Sequence, residues 1–166
     1  MGCKYRTLLI VCFVFFTITP AFASEVDSKK AYNVPMFVDY VTQQLKTSTY
    51  KNFEDQQEEV INFFASELKS KWKKQLPSML SRIKEDERSS LFVAKKDTLK
   101  ISGLKNTLKG ETVFDASITG DLGYFIGTSH VETVTITIKL TIHKQGISKL
   151  NPFGLVVVKY NEKAKY

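Results

Sequence analysis

Asp39, Tyr40, Asp115 and Tyr124 are the residues of this chain whose types could carry out proton chemistry together. A carboxylate held in an apolar hollow beside a phenol can serve as an acid–base pair on a small carbonyl substrate. Their contexts favour a structural role instead. Asp115 falls in an alternating strand pattern and Asp39 on the polar side of a helical one. The two histidines, His130 and His143, are far apart, on a turn and on a strand, and read as surface residues. No His-x-x-x-His pair, paired acidic motif, Gly-x-Ser-x-Gly or phosphate-binding glycine loop occurs. With two cysteines near the N-terminus and two scattered histidines, a structural zinc site has no ligand set. No catalytic residue, cofactor or metal is assigned, and an enzyme is not expected. The basic run Lys69–Lys74 contains Trp72, but Trp72 shares an apolar stripe with Leu68 and Leu76. Stacking on a nucleic acid needs several aromatics on an exposed face, so nucleic acid is not an expected partner.

The 166-residue chain opens with Lys4 and Arg6, an apolar run from Thr7 to Thr19, and Ala21-Phe22-Ala23. That order reads as a Sec signal peptide over 1–23 with cleavage after Ala23, which places the mature chain in a periplasm. The run is short for a spanning helix and Pro20 interrupts its end, so membrane attachment is expected only through an uncleaved signal. Cys3 and Cys12 leave with the signal, so the remaining roughly 143 residues have no disulfide and must rely on one hydrophobic core. Net charge is +7, and about +5 once Lys4 and Arg6 are removed. A modest excess of this kind needs no explanation beyond solubility.

The elements that would position these side chains come from periodicity. In Thr133–His143 the even positions Val134, Ile136, Ile138, Leu140 and Ile142 are apolar and the odd ones polar, which predicts a long central strand with one buried face. Residues 24–33 are polar and read as a flexible leader, and 34–162 as a single domain. Pro35 suits the first turn of a helix carrying Phe37, Val38, Val41 and Leu45 on one stripe. Asn52 is placed to cap a second helix, with Phe53, Val60, Ile61 and Phe64 inward and Gln56, Gln57, Glu58 and Glu59 toward water. Ser66 is placed to cap a third, with Leu68, Trp72, Leu76, Met79, Leu80 and Ile83 on one face and Pro77 kinking or splitting it. Afterwards come short strands at Leu91–Val93 and Thr98–Ile101, then a run over Thr112–Ile126 broken by a bulge near Gly120 and Gly123. The long strand follows, and Leu155–Val158 begins the last one. Three N-terminal helices on one face of a curved antiparallel sheet of about four strands is the α+β class. Such a sheet under a helix leaves a hollow.

Thr49-Tyr50-Lys51-Asn52-Phe53, then Gln56-Gln57 and Phe63-Phe64, resemble the DotI/IcmL family of type IVB secretion and conjugation systems. Asn151-Pro152-Phe153-Gly154 resembles the Asn-Pro-x-Gly turn found there and, more distantly, in VirB-type inner-membrane scaffolds. The similarity spans about residues 34–160 and implies a cystatin-like fold, of the kind shared with nuclear transport factor two. It implies a non-enzymatic scaffold or accessory role, through contacts with other envelope proteins, secretion-system subunits among them, or with further copies of the chain. The residues that carry it, Tyr50, Asn52, Phe53, Gln56, Gln57, Phe63, Phe64, Asn151, Pro152 and Gly154, are packing or interface candidates. The signal peptide and the Leu68-Lys69 that stands in place of the family's Gly-Trp make this chain similar to a soluble paralogue. A rival reading uses the hollow of the same fold to carry a small apolar ligand or lipid, or as an isomerase-like site.

Overall fold

The computed structural model describes residues 32–106 and 111–165, and the five alternating aliphatics of Val134–Ile142 lie at its centre. They belong to a 16-residue strand, β4 (Ser129–Lys144), and all five are buried, whereas Thr135, Thr137 and Thr141 are half-buried and Lys139 is exposed. One face of the strand is therefore core and the other is not. β4 pairs antiparallel with β3 (Glu111–Ile126) on one side and with β5 (Leu155–Lys165) on the other. Two further strands lie end to end on the far edge of β3. β1 (Arg88–Ala94) pairs with 120–126 and β2 (Lys100–Asn106) with 111–117. Between them the Thr98 hydroxyl donates to the Thr119 carbonyl at 2.8 Å, and the Lys95 amide reaches the same carbonyl at 2.9 Å. The sheet thus has five strands in four columns, where about four strands were expected.

The helices are α1 (Val34–Lys46), α2 (Phe53–Val60), a 3-10 turn at Ile61–Phe63, and α3 (Ser66–Glu85). They contribute to one core with the inner face of the sheet. In α1 the expected stripe is fully formed: Phe37, Val38 and Val41 have no exposed area and Leu45 is buried. Each such side chain contributes about 1.5–3 kcal/mol by leaving water. The stripe of α3 is correct in register but shallower, since Leu68, Trp72, Leu76, Met79, Leu80 and Ile83 are all half-buried and none is fully covered. This helix rides on the rim of the core.

Several local expectations are corrected. α3 is not split at Pro77, which sits on its exposed side, next to water that can satisfy the freed carbonyl. Ser66 is the first residue of the helix rather than its cap. Asn52 occupies the cap position of α2, but its side chain turns back to accept from the Thr49 amide at 2.7 Å and the Thr49 hydroxyl at 3.0 Å. β3 is continuous through Gly120 and Gly123, and the register shift comes one residue further on, between Tyr124 and Phe125. Gly120 answers a different demand: a Cβ there would lie 2.3 Å from the Phe92 ring. Finally, Tyr32 and Asn33 are part of the fold rather than the leader. The Tyr32 amide donates to the Phe153 carbonyl at 2.8 Å, and the Asn33 side chain caps α1 through the Met36 amide at 3.1 Å. The signal (1–23) and the rest of the leader lie outside the described residues.

Candidate interface

An apolar depression is built where α1, the 3-10 turn and the loop before β5 meet. Five aromatic contacts make its floor. Phe37 packs edge-on against Phe63 (5.9 Å between ring centres) and Phe153 (5.4 Å), Tyr40 lies 5.5 Å from each of the same two rings, and Phe63 lies 6.0 Å from Phe153. Edge-to-face aromatic pairs add roughly 0.5–1.5 kcal/mol beyond burial, so this floor is stiff. Around it stand Met36, Gln43, Glu59, Leu150 and Pro152, enclosing about 510 Å³. Met36 is 43% exposed and Leu150 is 70% exposed, which leaves two large apolar side chains in water beside a rigid aromatic base.

The loop that presents Leu150 is held from beneath by Asn151, whose side chain is 5% exposed in a residue type that is usually solvated. Its Nδ2 donates to the Leu155 carbonyl at 2.9 Å, and its Oδ1 accepts from the Gly154 amide at 3.1 Å. Gly154 has φ +61, and a Cβ there would lie 2.7 Å from Ile147 and 2.9 Å from Tyr32. The Asn-Pro-x-Gly segment is thus a turn that folds under itself and holds Leu150 outward. Tyr40 bridges to the far wall by donating its hydroxyl to the Glu59 carboxylate. Burial, and then this carboxylate, push the Tyr40 phenol well above its ordinary pKa, so it stays a donor.

The ten motif residues divide into three groups. Phe63 and Pro152 line the depression while Asn151 and Gly154 shape its turn. Gln57 and Phe64 gather around Trp72. Tyr50 and Asn52 belong to the turn between α1 and α2, and Phe53 and Gln56 to the first turn of α2, with Phe53 buried and Tyr50 and Gln56 half-buried. Gln57 departs most from expectation. It was placed toward water and is fully buried, accepting from the Trp72 indole N–H at 2.9 Å and donating to the Gln44 carbonyl at 3.4 Å. One side chain thereby ties α1, α2 and α3 together. Trp72 completes the cluster edge-on to Phe64 (5.3 Å) and Tyr160 (5.6 Å).

The four residues considered for proton chemistry do not converge. Asp115 and Tyr124 are nine positions apart on one strand and so face opposite sides of the sheet. Asp115 is exposed and accepts from the Thr141 hydroxyl at 2.8 Å, while Asp39 and Tyr40 belong to the depression just described. The hollow on the inner face does exist. It is an opening of about 370 Å³ with Val134, Ile136 and Ala164 among its apolar lining and Arg88, Tyr124 and Glu162 among its polar lining. Glu162 pairs with Lys46 and accepts from the Tyr160 hydroxyl at 2.7 Å. Burial and the neighbouring carboxylate raise the Tyr160 pKa far out of the neutral range. Sequence reading missed Lys46, Tyr160 and Glu162; the one signal was the even-position phase that β5 inherits from β4.

The edges of the sheet are partly covered. Residues 46–48 cover β1: the Ser48 and Ser90 amides exchange bonds of 2.9 and 2.7 Å, and the Phe92 amide donates to the Thr47 hydroxyl at 3.0 Å. Phe64 and Ala65 likewise cover the start of β5 through Val157.

This architecture is that of the periplasmic domains of type IV secretion proteins. The periplasmic domain of DotI matches with a TM-score of 0.61 at 17% identity over 77% of this chain and 91% of that one. An IcmL-like type IV secretion system protein from Legionella pneumophila subsp. pneumophila str. Philadelphia 1 matches with a TM-score of 0.60 at 14% identity, over 82% of this chain and 96% of that one. Agrobacterium tumefaciens VirB8 follows with a TM-score of 0.58 at 13% identity, over 80% and 91%. No family model and no curated protein matches the sequence. The fold agrees with the resemblance read from the motifs.

Proposed function

We propose that this chain is a non-enzymatic, IcmL-like periplasmic protein, a scaffold or accessory component of a type IVB secretion or conjugation system that acts through protein contacts. The observation that carries the reading is the rigid aromatic depression with Met36 and Leu150 exposed at its rim, on the fold of secretion-system periplasmic domains. Exposed large apolar side chains around a preorganised concavity are what a partner's anchor residue needs. The partners are other envelope proteins, secretion subunits among them, or further copies of the chain. Export is by the Sec signal, with cleavage after Ala23, which N-terminal sequencing of the mature protein reads directly. A photo-crosslinking residue at position 150, in cells that make the protein, tests the contact. Recovery of envelope proteins that a Met36→Ser/Leu150→Ser variant no longer captures is the expected result. Equal capture by that variant overturns the assignment of the depression.

The inner hollow supports a second reading, as a carrier of a small ligand or lipid or an isomerase-like site. Its support is the opening lined by aliphatics with Arg88, Tyr124 and Glu162. Binding of an apolar fluorescent probe that Ile136→Trp abolishes favours it, and no binding removes it.

A further inference from the structure

The helices share their core with the inner face of the sheet, and none of them lies in a layer over the outer face. The outward positions form cross-strand rows. Lys100, Ser117, Lys139 and Asn161 stand side by side on β2, β3, β4 and β5, and Ser102, Asp115, Thr141 and Lys159 form the next row. Thr119, Thr137 and Lys163 follow, then Asp121, Thr135 and Lys165. Lys95 joins the last row through its 2.9 Å contact with Asp121. Six lysines among the described residues therefore share this face. At the outward positions of β3 the acids are Glu111, Asp115 and Asp121; Asp115 and Asp121 each already accept a threonine hydroxyl, at 2.8 Å and 2.6 Å.

Lys100, Lys139 and Lys159 are exposed, and among the described residues they form no ion pair. They surround a shallow concavity of about 440 Å³ floored in part by Ser117 and Thr141. Strands lie about 4.8 Å apart, so Lys100 and Lys139, two strands apart, are separated by about 10 Å at the backbone. Unpaired like charges so close repel one another, and a multiply anionic surface relieves that repulsion. The same face carries an apolar pair at its β1 end. Leu91 and Val93 are 45% and 57% exposed, and they pair with Gly123 and Asp121, outward positions of β3. A field of lysines over hydroxyls, bordered by exposed aliphatics, suits lipid phosphates and the apolar boundary just beneath them.

We propose that the outer face of the sheet docks on an anionic lipid surface, with Lys100, Lys139, Lys159, Lys163 and Lys165 at the phosphates and Leu91 and Val93 at the headgroup–acyl boundary. Charge complementarity selects this occupant over a neutral membrane. The spread of the lysines over several rows selects it over a single acidic side chain of a protein partner. The inference goes beyond the scaffold reading, because it concerns the opposite side of the sheet from the aromatic depression and does not require a secretion partner.

Co-flotation of residues 24–166 with vesicles tests it. Binding is expected to vesicles of phosphatidylglycerol mixed with phosphatidylethanolamine at low salt, with little to pure phosphatidylcholine. Each lysine near such a surface contributes roughly a fivefold gain in partitioning. The Lys100→Glu/Lys139→Glu/Lys159→Glu variant should therefore bind at least about a hundredfold more weakly. Leu91→Ser/Val93→Ser should weaken binding without removing its dependence on anionic lipid. Lys71→Glu/Lys73→Glu/Lys74→Glu, on the exposed side of α3, should bind like the parent. No binding to anionic vesicles at low salt overturns the proposal, as does greater loss from the α3 variant than from the sheet variant. Should the sheet variant not fold, Lys139→Glu alone and loss of parental binding at high salt provide the same test. An acidic soluble protein that binds this face when anionic vesicles do not also overturns it.

Discussion

Replacing Gln57 by Leu tests whether this residue is a structural clamp or a docking residue. The substitution keeps the volume close to the original and buries an apolar group where an amide was. It leaves the Trp72 indole N–H, now bonded at 2.9 Å, without an acceptor, and it removes the longer bond to the Gln44 carbonyl at 3.4 Å. An unpaired donor in a covered site costs about 1–3 kcal/mol, and the long second bond adds little, so the expected loss is about 2 kcal/mol. For a domain of this size, roughly 4 °C of melting temperature corresponds to each kcal/mol, which gives a drop of about 8 °C. Urea denaturation followed by Trp72 fluorescence measures the loss directly, and calorimetry measures the shift. A double-mutant cycle with Trp72→Phe, read by calorimetry because Trp72 is the single tryptophan, separates the hydrogen bond from packing. Removing both partners should cost less than the two single losses summed, by about 1 kcal/mol. A Gln57→Leu protein that melts with the parent and loses only partner capture would refute the clamp. A cycle with no coupling would show that the indole–amide bond carries none of the loss.

Gly154→Ala should be among the costlier single changes, about 3 kcal/mol or more by urea denaturation. It combines a left-handed φ of +61 with a Cβ placed 2.7 Å from Ile147. Asn151→Ala should cost about 1–2 kcal/mol by the same measurement, since it removes the donor to the Leu155 carbonyl and leaves the Gly154 amide only its 3.2 Å bond to the residue-151 carbonyl. Leu150→Ser, at a 70% exposed position, should shift stability by less than about 0.5 kcal/mol while lowering capture of partners. Alkaline titration has a defined sign. Tyr160 and, more weakly, Tyr40 have folded-state pKa values raised above the ordinary value of 10.0, so the unfolded chain releases these protons first. Stability should be intact below about pH 10 and fall above it, by at most about 1.4 kcal/mol per pH unit for Tyr160. Tyr160→Phe should flatten that slope, and an unchanged slope in equilibrium unfolding between pH 9 and 11 would count against it.

Local pattern was sufficient for much of this molecule. Strict alternation over Thr133–His143 specified a strand with one buried face, because side chains of a strand change sides at every residue. Three- and four-residue spacing specified α1 and the register of the α3 stripe, because those positions share a helix face. Asn151 and Gly154 were readable as a turn, since one bonds its own backbone and the other tolerates positive φ. What the pattern could not supply was depth. The phase of a helix says which side faces inward but not how closely another layer approaches. Gln57 was therefore placed in water although the packing of α3 closes over it, and the α3 stripe, readable as one apolar face, lies at the rim rather than deep in the core. The same limit applied to Gly120, whose demand for space comes from the ring of Phe92 on another strand. It applied again to Lys46, which meets Tyr160 and Glu162, more than a hundred residues further along the chain, only because β5 lies beside β4 under the end of α1. Sequence determined the elements and their faces. The tertiary structure decided which faces close, because burial and encounter depend on distances that local periodicity does not encode.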